Sequence, residues 1–393
     1  MIQSTGTLPS VPTAVLAPSD DTYNRRLGLR RDMNTSNPRP RLIAFYLPQF
    51  HPTPENDAWW GKGFTEWTNV VPAKPVFTGH YQPHLPADLG FYDLRLPEVR
   101  QAQADLAREH GVDGFCYYHY WFHGRRLLNR PFEEVLAARQ PSLPFCLCWA
   151  NEHWTRIWDG GDNKLLIEQT YSEADDLAHI RWLATAFRDP RYIRVDGKPL
   201  FLVYRAGKLP DPLRTTAVWR TEAMKLGIGE LFLCRVQAIR ERDDPVAIGF
   251  DAAVEFQPEF GYMATPLTAS LTWRMNRRMW RRRGHKIYDY AEVVQRVLAK
   301  EPPPFLRFPC VTPMWDNTAR RRHDATILTN STPERYEEWL RTTILRSKSM
   351  HPKGGLVFVN AWNEWAEGNH LEPCQKWGDA YLKATRRAVE GSA

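Results

Sequence analysis

Several familiar signals are missing from this 393-residue chain. Its six cysteines (Cys116, Cys146, Cys148, Cys234, Cys310, Cys374) form no Cys-x-x-Cys pair, so neither a zinc ribbon nor a dithiol redox motif can be read from them. Five of them fall in predicted strands or at strand ends, where a free thiol behaves as a small hydrophobe. Reduced thiols and a cytoplasmic location are the expectation. No stretch approaches the roughly 18 apolar residues of a membrane span. Pro9, Pro12 and Pro18 interrupt the only apolar candidate near the N-terminus, so no secretion signal is expected. Neither G-x-G-x-x-G after the first predicted strand nor G-x-x-x-x-G-K-[ST] occurs, which leaves nucleotide-cradling folds without support.

What the chain has in excess is aromatic. It carries 16 Trp, 15 Tyr and 18 Phe beside 31 Pro, and many of the rings stand in polar company, at Trp59-Trp60, Tyr117-Tyr118, Trp149, Trp154 and Trp158. Core packing accounts for a share of them; the rest point to an aromatic-rich cleft. The hydrophobic and charged fractions, 43% and 25%, are those of a soluble globular chain. The net charge of +7 is concentrated in arginine patches and suggests anionic partners. Residues 1–39 are rich in Ser, Thr, Pro, Asn and Asp, with Arg25-Arg26 and Arg30-Arg31 and no periodicity. They read as a disordered or loosely packed leader to one domain over 40–393.

From residue 41 short apolar runs alternate with longer amphipathic stretches. The runs Leu42–Tyr46, Gly114–Tyr118, Phe145–Trp149, Leu200–Tyr204, Leu231–Val236, Ala252–Phe256, Phe308–Thr312 and Leu356–Asn360 read as strands. Helical patterns between them include Pro97–His110, Glu173–Phe187, Leu213–Leu226, Tyr290–Ala299 and Pro333–Met350. Strand–helix alternation implies a parallel sheet with helices outside, and continuous apolar strands fit burial on both faces. Eight such units predict an α/β fold, a (β/α)8 TIM barrel with long inserted βα loops; a doubly wound open sheet is the alternative.

Barrel enzymes carry their chemistry at the C-terminal ends of the strands. Here the first strand runs into Tyr46, Gln49 and His51, the second into Tyr118 and His119, and the third into Trp149, Asn151 and Glu152. The fourth ends at Tyr204-Arg205, the fifth at Gln237, the sixth at Glu255 and Gln257, and the seventh at Trp315 and Asp316. The eighth passes directly into Trp362-Asn363-Glu364-Trp365-Ala366-Glu367-Gly368. Ordinary exits would be Gly, Asp and Ser turns. Rings beside carboxylates suit sugars, whose C–H faces stack on aromatic planes. If the chain turns helically at Glu364–Glu367, the two carboxylates share a face with Cβ atoms roughly 5–6 Å apart. Retaining glycoside hydrolysis asks for carboxyl groups roughly 5–5.5 Å apart. Surface charges on a post-strand turn are the plainer reading of the same spacing.

The other candidates are weighed in the same way. The loop over residues 51–92 holds Trp60, Glu66 and Trp67 and reads as a cleft wall, or else as a structural Ω-loop. His119 and His123 are four apart, but they follow a strand and lack a third ligand, so no metal is expected. Asn151-Glu152 repeats the Asn363-Glu364 pair and makes Glu152 a reserve carboxylate; its plainer role is a partner for Arg156. The arginine-rich segments 274–283 and 320–322 fall after strands six and seven. They could hold an acidic polysaccharide, a diphosphate or an anionic membrane surface, or form a solvated basic face. Nucleic acid is not expected, because no binding motif accompanies the charge.

Arg41–His51, Gly63-Phe64-Thr65-Glu66-Trp67, Gly111–Phe115, Trp149–His153 and Trp362–Gly368 resemble the WbsX family of bacterial surface-polysaccharide gene clusters, over about residues 41–385. That family carries a domain similar to glycoside hydrolase family 99. The resemblance implies a (β/α)8 retaining α-glycosidase that works through a 1,2-anhydro sugar and needs no cofactor. It makes Glu364 the base, Glu367 the general acid/base and Glu372 of Leu-Glu-Pro a substrate-binding residue. The motif Asn-Glu-Trp-x-Glu-Gly is matched by Asn363, Glu364, Trp365, Glu367 and Gly368. The arginine insertions depart from the mannosidase pattern, which leaves sugar and linkage open. The WbsX family also carries a glycosyltransferase label, so transfer from a nucleotide- or lipid-linked sugar is the alternative. A non-catalytic glycan-binding barrel is the third reading.

Overall fold

The structure is a computed structural model that describes residues 38–156, 165–238, 241–277, 284–351 and 354–392. The expected leader up to residue 37, Trp158, and Arg278 to Arg283 of the basic insertion lie outside the described residues.

Eight strands form the framework: β1 (Arg41–Tyr46), β2 (Gly114–Phe122), β3 (Phe145–Trp149), β4 (Lys198–Val203), β5 (Phe232–Gln237), β6 (Ala252–Glu255), β7 (Arg307–Phe308 with Cys310–Val311) and β8 (Leu356–Val359). Each is parallel to its neighbours, with Ala44 opposite Phe115, Cys116 opposite Cys146, Cys148 opposite Leu202, Leu202 opposite Cys234, and Ala253 opposite Arg235. The ring then closes. Val254 pairs with Phe308 on one side of β7, Cys310 pairs with Phe358 on the other, and Phe358 returns to Ile43 of β1. The fold is therefore a (β/α)8 barrel; an open doubly wound sheet is excluded, because it would leave two edges.

The strands are almost wholly buried on both faces, as their unbroken apolar sequences require. Two bounds differ from expectation for local reasons. β7 is broken rather than continuous, because Pro309 has no N–H for the ladder; its carbonyl still accepts from Phe358 N at 2.8 Å. β2 runs on to Phe122 and folds back antiparallel on Arg125–Leu127.

The outer helices include Pro97–Glu109, Arg130–Ala138, Glu173–Phe187, Pro212–Lys225, Tyr290–Leu298, Pro333–Met350 and Ala380–Glu390. Their starts are legible in the sequence: Ser172, Asp211, Asp289 and Thr332 accept from backbone N–H groups of the first turn, and proline opens three of the helices. Between β5 and β6 the described residues contain only a 3-10 turn, Val246–Ile248. Above the strand ends, the β1 loop carries short helices Pro54–Trp60 and Trp67–Val70. A small sheet of Lys286–Asp289, Thr326–Thr329 and Trp315–Asp316 stands beside the loops after β6 and β7. All six cysteines are buried, and none is in a disulfide. Among the described residues no helix is long and apolar enough to cross a membrane.

Candidate active site

A cavity of about 920 Å³ opens at the C-terminal ends of the strands. Glu364 and Glu367 lie on its wall together with Glu66 and Arg320. The local fold is tighter than an α-helix. Asn363–Glu364 pairs antiparallel with Asn369–His370, and the 3-10 turn Trp365–Glu367 joins them. Residues three apart eclipse one another in 3-10 geometry, which brings the two carboxylates to one side. The turn needs a glycine at its end. Gly368 has φ +54°, and a Cβ there would stand 2.9 Å from both the Cβ and the carbonyl oxygen of Asp316.

One guanidinium joins the carboxylates. Arg320 donates through Nη1 to Glu367 Oε1 at 3.0 Å, through Nη2 to Glu364 Oε2 at 3.2 Å and through Nε to Glu66 Oε1 at 2.7 Å. Burial works against the Arg320 charge, but Glu66, Glu364 and Glu367 together outweigh it and hold its pKa well above the usual value. Burial pushes Glu364 up to about 8, with Arg320 pulling down and Glu367 and Glu66 pushing further up. Burial also raises Glu367, against the pull of Arg320. Fully ionised, three carboxylates and one guanidinium would leave a formal charge of −2 in a buried cluster. The Glu364–Glu367 pair therefore keeps a proton at neutral pH, and that proton belongs to the pair.

Of the other residues singled out from the sequence, Gln49, Trp60, Tyr118, Asn151, Glu152, Trp154, Tyr204, Gln237 and Trp315 line the cavity. Asn151 ties two strand exits together: its Oδ1 accepts from Arg205 N at 2.8 Å and its Nδ2 donates to Arg205 O at 2.9 Å. Glu152 is paired with Arg205 Nη1 at 2.5 Å, not with Arg156. Burial raises the Glu152 pKa, with Arg205 opposing.

The remainder do not face the cavity, and strand alternation explains the clearest cases. Tyr118 and Tyr120 point inward, so His119 and Trp121 point to the helix side. There His119 Nε2 lies 3.0 Å from His179 Nε2, and its ring stacks on Trp182. Trp149, buried to 1% exposure, donates to Trp121 O at 3.1 Å. Glu255 and Gln257 hydrogen-bond each other at 3.1 Å, and Lys300 pairs with Glu255. His51 is buried, which lowers its pKa to about 4. Among the described residues no group of three or more His, Cys, Asp and Glu side chains is placed to hold a metal ion.

A second set lies directly behind the carboxylates. Asn363 is bonded both ways to the Leu47 backbone, at 2.7 and 3.0 Å. Glu372 is not a cavity residue. It accepts from Trp365 Nε1 at 2.6 Å, Gln103 Nε2 at 2.6 Å and Tyr92 OH at 2.8 Å. Burial raises it to about 7, with those donors opposing. Tyr46 OH donates to Gln103, Trp67 packs on Trp365, and Trp362 packs on Phe115. Asp316 accepts from Gln82 Nε2 at 2.8 Å and pairs with His80 at 2.6 Å. Burial works to raise its pKa, but His80, with His84 and Thr318, holds it down at about 2.

Sequence reasoning missed Arg320. It stands in a run with Arg321 and Arg322, and nothing in that run marks which arginine turns inward. Arg320 and Arg321 line the cavity, while Arg322 is exposed. Arg277, of the other basic segment, donates to Thr78 O at 3.3 Å and so braces the β1 loop.

The family described as "Glycosyltransferase WbsX" matches residues 42–385. Two proteins named "Uncharacterized protein WxcX", from strains B100 and ATCC 33913 of Xanthomonas campestris pv. campestris, are each 48% identical over 349 residues. The match takes in 88% of this chain but 49% of theirs, so the chain spans about half the length of these relatives. Among solved structures, a "Glycoside hydrolase-like protein" aligns over 92% of this chain and 97% of its own, with TM-score 0.56 and 15% identity. The GH99 endo-alpha-mannosidase from Bacteroides thetaiotaomicron, in complex with bis-tris-propane, aligns over 89% of this chain and 96% of its own, with TM-score 0.52 and 16% identity. At these identities the likeness is one of fold.

Proposed function

The chain belongs to the WbsX glycosyltransferase family, and on that premise we propose that it is a carbohydrate-active enzyme, a retaining glycoside hydrolase acting on an α-linked bacterial surface polysaccharide. One observation carries this reading. Two carboxylates share a guanidinium on the wall of an aromatic cavity, at the end of the barrel where such folds do their chemistry. A pair that holds one proton offers an acid and a base side by side.

The roles follow the family 99 resemblance. Glu364 takes the proton from the 2-hydroxyl of the sugar, whose oxygen attacks C1 and closes a 1,2-anhydro ring. Glu367 gives its proton to the departing glycosidic oxygen. Water then loses a proton to Glu367 and attacks C1, and O2 recovers its proton from Glu364. Two displacements at C1 return the original anomeric configuration. Tyr118, Tyr204, Trp60 and Trp315 supply ring faces and hydroxyls for the sugar.

The purified protein is to be incubated with surface polysaccharide from its own source, and products followed by NMR at the anomeric carbon. Release of oligosaccharide with retained configuration, abolished in Glu364→Gln and in Glu367→Gln, is the expected result. Near-normal turnover in either variant refutes the assignment. The family description favours a second reading, transfer from a nucleotide- or lipid-linked sugar. Consumption of a UDP- or GDP-sugar without polymer cleavage would select it.

A further inference from the structure

The chemistry just described needs two carboxylates; it does not by itself need the arginine that joins them. We propose that Arg320 is the positioning residue of the Glu364–Glu367 pair: it grips one oxygen of each carboxylate, leaves the other for the substrate, and keeps one of the two ionised while the site is empty. This role rests on the acid/base reading of the pair for its meaning in catalysis, but the grip itself is measurable without substrate.

The geometry has three parts. Arg320 bonds Glu364 through Oε2 and Glu367 through Oε1. Among the described residues nothing donates to Glu364 Oε1 or Glu367 Oε2, and both residues line the cavity. Those are the oxygens left to meet a sugar hydroxyl and a glycosidic oxygen.

The second part is the seat of the arginine. Arg320 follows the 3-10 turn Asn317–Ala319, whose N-cap Asp316 accepts from Thr318 N at 3.0 Å and from Thr318 Oγ1 at 2.6 Å. Asp316 is in turn held by His80 and Gln82 from the β1 loop, and His80 stacks on Phe77. The third part is Glu66, also from the β1 loop, which takes the Nε side of the guanidinium at 2.7 Å. Arg320 thus locks the loops after β1, β7 and β8 around one planar cation. A lysine could not do this, since its ammonium is a point charge and the guanidinium is a rigid fork.

The groups facing the pair give the expected direction. Glu66 is the further carboxylate, Arg321 is the further cation acting on Glu367, and the hydroxyls of Tyr118, Tyr120 and Tyr204 face the same cavity, whose wall also carries Glu152, Glu259, Asp324, Lys208 and Lys286. His80 and Asp316 lie behind the turn as a matched pair. Without Arg320, like charge and burial act together and both carboxyls take up protons, which leaves no base.

The test is carboxyl carbon-13 NMR of the full chain labelled at the glutamate side-chain carbonyl, titrated with pH. Glu364→Gln and Glu367→Gln assign the two resonances. In Arg320→Gln both midpoints are expected to rise by at least about one pH unit, the size that loss of a close opposite charge produces. In Arg320→Lys, which keeps the charge but loses the fork, the rise is expected to be smaller and unequal between the two. Midpoints within about 0.3 unit of the parent in Arg320→Gln overturn the role. Should Arg320→Gln not fold, parent-like midpoints for both carboxyls in Arg320→Lys overturn it as well. Loss of the hydrolase reading leaves these midpoints untouched, so the two failures are distinguishable.

Discussion

Replacing Glu364 by glutamine is expected to stabilise this protein, and more so as pH rises. The sign follows from proton counts. The ordinary carboxylate value of 4.5 describes the unfolded chain, and burial raises Glu364 to about 8 in the folded one. Below 4.5 both states carry the proton, so the group contributes no pH dependence there. Between 4.5 and 8 the folded state keeps a proton that the unfolded state has lost, so stability falls as pH rises. Each pH unit costs about 1.4 kcal/mol, and the window sets a ceiling of about 5 kcal/mol, reached at its upper end. Sharing of the proton with Glu367 lowers the expected gain to about 2–3 kcal/mol. Glutamine keeps the shape and removes the titration. Urea unfolding of parent and Glu364→Gln at pH 5, 7 and 9 measures the difference, which should be smallest at pH 5 and largest at pH 9. A difference that is flat with pH, or that favours the parent increasingly at high pH, refutes the electrostatic account of the site.

The same pair sets an activity profile: kcat/KM should fall about tenfold per pH unit above about 8, as the pair loses its last proton, and a plateau to pH 10 would contradict this. Gly368→Ala places a Cβ 2.9 Å from Asp316 at φ +54°, so a loss of about 2–3 kcal/mol and a large drop in turnover are expected, read by thermal melting and assay. Glu372→Ala leaves Trp365 Nε1, Gln103 Nε2 and Tyr92 OH without their acceptor, and should cost about 3–5 kcal/mol in urea unfolding; a neutral result would mean that the network is not structural.

The barrel was legible because parallel strands buried on both faces must be written as unbroken apolar runs, and β1, β3, β6 and β8 fall within a residue or so of where those runs lie. The site was half legible. Polar residues at strand exits marked the end of the barrel where the cavity opens, but exit position does not say which way a side chain points. His119 sits one place along from Tyr118 and so faces a helix rather than the cavity. Asp316 was singled out as a polar strand exit, and Glu372 through the family resemblance. They are the braces of the site, holding the arginine turn and Trp365. The segment 320–322 stood out only as a basic run, and the role of Arg320 within it could not be read, because its partners are 254, 44 and 47 residues away in sequence.

The charge on the cavity wall also decides what the reacting sugar carries. Net positive charge and arginine runs pointed to an anionic glycan, yet the inward arginine is already saturated by three carboxylates. A uronate on the reacting sugar would enter beside Glu66 and the ionised member of the pair, whose two charges Arg320 offsets only in part. Two like charges about 6 Å apart at an effective dielectric of about 20 repel by about 3 kcal/mol, a factor of over a hundred in binding. Three further cations line the cavity and have no carboxylate partner among the described residues: Lys208 and Lys286 come from other elements, whereas Arg321 adjoins Arg320 and acts on Glu367. The reacting sugar is therefore expected to be neutral, with any acidic substituent on a neighbouring residue of the glycan. Matched oligosaccharides bearing the carboxylate on the reacting sugar or on its neighbour separate the cases. Faster cleavage of the first would mean that Arg321 or a released Arg320 takes the uronate, and would overturn the expectation of a neutral reacting sugar.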